Sequence, residues 1–244
     1  MTQADPAPLP GCRMISSRQI VPLLMVLIVG VLVVAPLLRI LLATLTPDGL
    51  KAWGDVLASA MSQNLWWRPL MNTLILGLGV SFGCLLLGGF CAWLVVMTDV
   101  PGRRLLGVMH TLPFMIPSFA AALAWGTLFR NSRMGGSSGF FESNGFMIPD
   151  WLAWGIVPVL IVLIAHYYSL AYTIIGAALS SVGADLVEAA QMTGARRPRI
   201  LFGIVLPVVT PALVSAGSLT LAGAVSNFAA PALLGLPVRM QTLS

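Results

Sequence analysis

The chain has 244 residues, 58% hydrophobic and 9% charged, against about 25% charged in soluble globular domains, so water is not its main solvent. Its net charge of +5 is spread over separate loops, which lends nucleic-acid binding no support and fits contact with anionic lipid headgroups. Cys12, Cys84 and Cys91 make no disulfide framework or metal set; Cys84 and Cys91, on one helix face, read as small packing residues.

Residues 1–19, with Pro6, Pro8 and Pro10, lack periodicity and read as a flexible cytoplasmic tail. Arg13 and Arg18 precede an apolar run as in a signal peptide. That run, near 20–45, is too long and no small-residue cleavage pattern closes it, so a retained first span is expected. Leu50, Trp53, Leu57 and Met61 then recur at helical spacing, and Trp66 and Trp67 precede the next apolar run. The 20–69 region is therefore a span followed by a segment lying along the outer surface. Further runs able to cross about 30 Å of hydrocarbon lie near 72–97, 105–129, 152–179 and 206–225. The expected fold is an all-α membrane protein of about five spanning helices.

Gly79 and Gly83 in the second span, and the row Ala212, Ala216, Thr220 and Ala224 in the fifth, predict close helix contacts. Pro113 and Pro117 interrupt the third span near His110, and Pro207 and Pro211 permit a kink at the start of the fifth. The Gly- and Ser-rich run 131–145 reads as a flexible outer loop, either a docking loop or a mere linker. His110 and His166 are the ionisable groups well inside spans. Such a group is either part of a substrate path or a neutral imidazole satisfied by a carbonyl, with Tyr167 and Tyr168 as packing. Ser226, Asn227 and Phe228 close a small-residue helix just before Pro231 and Gly235, and irregular backbone at membrane depth must line a cavity or water. Together with His166 they are the candidate translocation path.

The most informative stretch follows the fourth span. Over 182–193, Val182, Leu186, Ala189 and Ala190 share one side of a helix, and Asp185, Glu188 and Met192 the other. Gly194 stands where a C-terminal cap needs positive φ, and Pro198 where a new helix can start. Ala189, Ala190 and Gly194 leave room for another surface, while Arg196, Arg197 and Arg199 keep the turn in water near headgroups.

Here Glu188, Ala189, Ala190, Gly194, Ile204, Leu206 and Pro207 resemble the EAA motif of permease subunits of binding-protein-dependent ABC importers. The resemblance implies a type I importer transmembrane domain over 70–244. Its coupling helix would insert into a cleft on a cytoplasmic ABC ATPase, with Asp185, Glu188, Ala189, Ala190, Gly194, Arg196, Arg197 and Pro207 in the coupling loop. It further implies a substrate-binding protein docking on the outer side, and a second permease half in the same polypeptide or another subunit. The location implied is the bacterial inner membrane, multi-pass. The chain stops at Ser244, where family members continue into another span, so the domain is expected to be truncated before its last crossing. The stretch Asn227 to Gly235 is similar to one in the iron(III), 2-aminoethylphosphonate and polyamine branches. Iron(III) is the expected solute, with phosphonate, polyamine, thiamine and sulfate open.

A cytoplasmic docking loop and five alternating spans put the N-terminus inside. Seven of the thirteen basic residues then lie inside and six outside, so the positive-inside rule is weakly met. No glycine-rich phosphate loop exists and Lys51 is the sole lysine, so ATP must be hydrolysed by another chain. With no nucleophile and base in a usable arrangement and two histidines in separate spans, neither an enzyme nor a bound cofactor is expected. The rival reading is an ion-coupled secondary transporter. It wants intramembrane carboxylates, yet Asp5, Asp48, Asp55, Asp99, Glu142, Asp150, Asp185 and Glu188 fall in tails, loops or span ends. A scaffold with no transport role would leave the motif spacing unexplained.

Overall fold

Long apolar runs without interrupting charge form helices because a helix satisfies its own backbone. The computed structural model describes residues 17–59, 62–134, 137–183 and 190–243, and every regular element among them is helical. Among the described residues four helical stretches are long and apolar enough to cross a bilayer: Leu24–Thr44, Gln63–Met97, Asp150–Ser180 and Pro198–Val225. The chain divides into two compact units, Met1–Ser62 and Gln63–Ser244.

In the first unit α1 (Ser17–Thr44) is apolar on all sides and has no buried position in its membrane-length stretch. A two-residue turn leads to α2 (Pro47–Ala58). Thr46 caps that helix by accepting a 3.1 Å bond from the Gly49 N–H, and Pro47 occupies the first turn, where a missing N–H costs nothing.

The second unit holds α3 (Arg68–Met97), α4 (Arg103–Thr111), α5 (Ser118–Phe129), the short α6 (Phe140–Ser143) and α7 (Asp150–Ala153), and α8 (Ile156–Ser180). After the loop come α9 (Arg197–Ile200), α10 (Leu206–Val225) and α11 (Ala229–Leu234). Two π-helical turns, Gln63–Trp67 and Leu201–Val205, run into α3 and α10. Each comes just ahead of a proline, Pro69 and Pro207. A proline cannot donate to the carbonyl four residues back and its ring presses on that carbonyl, so a widened turn relieves both.

Small residues bring α3, α8 and α10 together, since no hydrophobic force draws helices together in lipid. A Cβ on Gly79 would lie 2.9 Å from Leu160 Cδ2, one on Gly83 2.4 Å from Ile164 Cδ1, and one on Gly88 2.8 Å from Ala171 Cβ. The partners ascend together, so α3 and α8 are parallel. Gly77 instead faces Val225, and the Ser81 hydroxyl donates to the Gly217 carbonyl at 2.9 Å, so α10 is antiparallel to α3. Ala216, Thr220 and Ala224 of the expected row are buried, with Ala212 packed at the margin. Cys84 and Cys91 are buried on α3, where they serve as small packing residues. Leu74, Leu78, Phe82, Leu86 and Phe90 on its other faces stay exposed, as lipid contact requires.

Parallel α3 and α8 require the chain between them to return to its starting end, and α4 with α5 makes that return. The interruption expected at Pro113 and Pro117 is present, and the helical pair bends there by 92° between Met115 and Ser118. Pro113 and Pro117 remove two backbone donors in one turn, which a continuous helix does not survive.

The 131–145 run, expected to be a flexible loop, is corrected for its described residues: they include short helical turns at Ser132–Met134 and Phe140–Ser143, and Asn131 has no exposure. The Asn131 amide donates to Asp150 Oδ1 at 2.5 Å and to the Ile148 carbonyl at 3.3 Å, while its oxygen accepts from Trp154 Nε1 at 3.0 Å. Ile148, Ala153 and Trp154 form a second small core against Phe129, Phe141 and Val238.

Candidate functional site

Breaking a helix inside a bundle frees backbone groups that neighbouring side chains must satisfy. At the α4–α5 break this role falls to α8. The Ser169 hydroxyl donates to the His110 carbonyl, in the turn that leads into the break. One turn earlier, His166 faces the Pro113 and Ile116 backbone and stacks on Phe114 with ring centroids 5.5 Å apart. His110 contacts Tyr168, Nδ1 to hydroxyl 3.4 Å, and lies against Tyr172.

A polar cluster closes the other side of the same break. Asn227, in the turn between α10 and α11, donates through Nδ2 to Ser118 Oγ at 2.9 Å and to the Tyr167 hydroxyl at 3.3 Å. Its Oδ1 accepts from the Ala230 N–H at 3.2 Å, capping α11. Tyr167 in turn donates to the Gly223 carbonyl at 3.0 Å. Gly223 permits this, since a Cβ there would lie 2.8 Å from the tyrosine ring. Four elements, α5, α8, α10 and α11, meet at these side chains.

Beside the break lies a cavity of about 490 Å³ lined by Pro113, Ile116, Trp125, Ile161, His166 and Tyr168 among others. Its wall is apolar apart from the imidazole, the tyrosine hydroxyl and the broken backbone. Among the described residues no three His, Cys, Asp or Glu side chains gather as a metal site.

Of the candidate path residues, the structure brings His166 and Asn227 to one break. Ser226 caps α10 and is exposed, with its N–H donating to the Ala222 carbonyl at 3.0 Å. Phe228 is 63% exposed and lines a separate cavity of about 320 Å³ with Pro231, Leu236 and Met240. Ser118 and Ser169 are not singled out by sequence, and Tyr167 reads there as packing beside His166. A serine directly after Pro117, opening a helix, was the available signal for Ser118.

The loop after α8 is partly described. Asp185, Glu188 and Ala189 lie outside the described residues. Val182 sits in the bend after α8, not inside the expected 182–193 helix, while Ala190, Gln191 and Met192 are helical. Gly194 adopts φ +79°, its N–H donates to the Gln191 carbonyl at 2.9 Å and the Ala195 N–H to the Ala190 carbonyl at 3.1 Å. This is a Schellman cap, which needs the left-handed residue glycine supplies. Ala190 and Ala195 both pack at the edge of the main core. Arg196 is exposed, Arg197 opens α9, and Pro207 follows the π-turn at the start of α10. A groove of about 560 Å³ between Trp93, Met97, Ile200, Phe202 and Val205 lies beside that turn.

Apolar helices of bilayer length, one broken over a polar cluster, define a polytopic membrane domain. Residues 84–243 match the binding-protein-dependent transport system inner membrane component family, and the chain belongs to it. It is accordingly a multi-pass inner-membrane protein. Among its relatives, a candidate permease of a 2-aminoethylphosphonate transport system from Salmonella typhimurium (strain LT2) is 29% identical over 159 residues, 62% of this chain and 53% of that one. The sulfate transport system permease of Escherichia coli (strain K12) is 29% identical over 59% of this chain and 50% of its own length. A candidate ABC transporter permease of Sinorhizobium fredii is 28% identical over 82% of this chain and 35% of its own. The chain spans about half the length of most of these relatives.

Proposed function

We propose that this chain is the permease subunit of an ATP-driven importer, with residues 70–244 as the permease domain and 20–69 as an added span and interfacial segment. The observation that carries this reading is the family match over 84–243 around the capped turn at Gly194. The loop 185–197 docks on a cytoplasmic ABC ATPase, with Asp185, Glu188, Ala189, Ala190, Gly194, Arg196 and Arg197 in the contact and Pro207 at the base of the spanning helix. A binding protein delivers the solute at the opposite end, and a second permease half supplies the other wall of the path.

ATPase closure pulls the loop, and the π-turn Leu201–Val205 with Pro207 gives α10 a pliable base. The groove behind that turn leaves it space to move. Movement of α10 carries Asn227, and through its bonds to Ser118 and Tyr167 reaches the broken span and the cavity. Access thus alternates between the two membrane faces.

The solute is a small oxyanion of the phosphonate or sulfate kind, the chemistry for which two of the relatives are named. The groups at the break support an anion over iron(III): the Ser118 hydroxyl and the His166 imidazole can donate hydrogen bonds, and the described carboxylates Asp48, Asp55, Asp99, Glu142 and Asp150 all lie off α3, α8 and α10.

The test is a mild-detergent pull-down of the full-length protein from native membranes, beside Gly194→Asp, with mass spectrometry of the companions. Recovery of an ATPase that the variant loses, while still inserting, supports the assignment. Recovery of no ATPase by the parent sinks it and favours the ion-coupled transporter.

A further inference from the structure

The permease reading places α2 in an interfacial segment and leaves open what covers its apolar face. Every described residue of this helix is exposed or half-buried, none buried. At 100° per residue, Leu50, Trp53 and Leu57 fall within one narrow arc, and Asp48, Lys51 and Asp55 fall within the opposite one. The apolar arc is largely exposed: Leu50 is 60%, Trp53 44% and Leu57 41% exposed. In water such a face would be covered by protein.

We propose that α2 is an interfacial helix that lies in the membrane plane, its Leu50, Trp53 and Leu57 face seated in the lipid headgroup and upper acyl region. Three observations identify lipid as the occupant. First, α2 is joined to α1 by Leu45 and Thr46 alone, and the bilayer-length stretch Leu24–Thr44 of α1 is apolar with no buried position, as suits a helix set in lipid. A two-residue connection keeps the start of α2 within a few ångström of where α1 leaves the hydrocarbon, about 3.4 Å of reach per residue. Second, the turn is built to hold that geometry. The Thr46 hydroxyl donates to the Ala43 carbonyl at 2.7 Å on one side and accepts from the Gly49 N–H at 3.1 Å on the other. Gly49 lies so close to the end of α1 that a Cβ would meet the Ala43 carbonyl oxygen at 2.2 Å. The chain therefore leaves α1 and re-enters helix in one fixed corner. Third, the face has interfacial composition: a tryptophan between two leucines, which prefers the headgroup level, opposite a charged face kept in water.

The polar arc carries two carboxylates and one ammonium, so attraction to anionic lipid does not hold α2 down. Apolar burial does, and the seating is expected to be insensitive to salt and to the anionic lipid fraction. Its consequence is an anchor that sets the depth and rotation of α1 in the bilayer.

The test places single cysteines at 48, 50, 51, 53, 55 and 57 of the full chain, in a background with Cys12, Cys84 and Cys91 replaced by alanine. Each is spin-labelled and reconstituted in phosphatidylethanolamine and phosphatidylglycerol nanodiscs. The reading is the logarithm of accessibility to oxygen over accessibility to a water-soluble nickel chelate. It is expected to change sign with the helix period, positive at 50, 53 and 57, negative at 48, 51 and 55. A negative value at all six positions would mean that α2 stands in water, and low accessibility to both reagents at 50, 53 and 57 would mean that protein covers the face. Either overturns the proposal. None of the six residues is buried, so the substitutions leave the fold intact, and the measurement stands even if the ATPase pull-down fails.

Discussion

Gly88→Ala and Gly89→Ala form a matched pair that isolates the packing of α3 on α8. A methyl on Gly88 would lie 2.7 Å from the Tyr168 carbonyl oxygen, 2.8 Å from Ala171 Cβ and 2.8 Å from the Tyr172 nitrogen. Two of those atoms are helix backbone and cannot rotate aside, so the helices must part. Overpacking of this kind costs about 1–3 kcal/mol. On the next residue, a methyl on Gly89 meets Ile175 Cδ1 at 3.7 Å, an ordinary contact. Both substitutions gain the same helix propensity, about 1 kcal/mol. That term cancels in the comparison, and Gly89→Ala is expected to be the more stable variant by about 1–3 kcal/mol. Reversible unfolding in mixed micelles, followed by tryptophan fluorescence, measures the difference. Equal stability of the two variants would refute the steric reasoning, because the buried Gly88 has backbone in the way of a methyl and the half-buried Gly89 has none. Uptake should fall with Gly88→Ala alone, since the displaced Tyr168–Tyr172 turn carries the contacts to His110.

At Gly194 a Cβ would meet no atom within 4 Å, so the cost of a side chain is conformational, about 1–2 kcal/mol for a left-handed L-residue and less for asparagine. Co-purified ATPase should therefore fall in the order Gly, Asn, Ala, Val; equal recovery from all four would refute it. Asn131→Ala leaves the Trp154 indole N–H without its acceptor in the small core, a loss of about 1–3 kcal/mol, read as faster proteolysis within 131–150. Asn227→Ala removes bonds to Ser118, Tyr167 and Ala230 at about 0.6 kcal/mol each in a membrane, and the summed loss should appear as a lower unfolding midpoint. Cysteines at 118 and 227 should cross-link on mild oxidation if the cluster joins these elements.

Sequence alone determined the long apolar helices, because length and the absence of charge decide what can span hydrocarbon. It also marked the broken third span through Pro113 and Pro117, the turn at Gly194, and the small-residue rows of α3 and α10, since each rests on a local backbone or volume constraint. Only the tertiary structure decided the 92° of the break, the burial of Asn131 against Asp150 and Trp154, and the meeting of Asn227 with Ser118 and Tyr167. In lipid all faces of a helix can be apolar, so periodicity no longer tells which face meets which neighbour. That choice is made by small residues fitting large ones across distant segments, and by polar groups finding partners where water is absent.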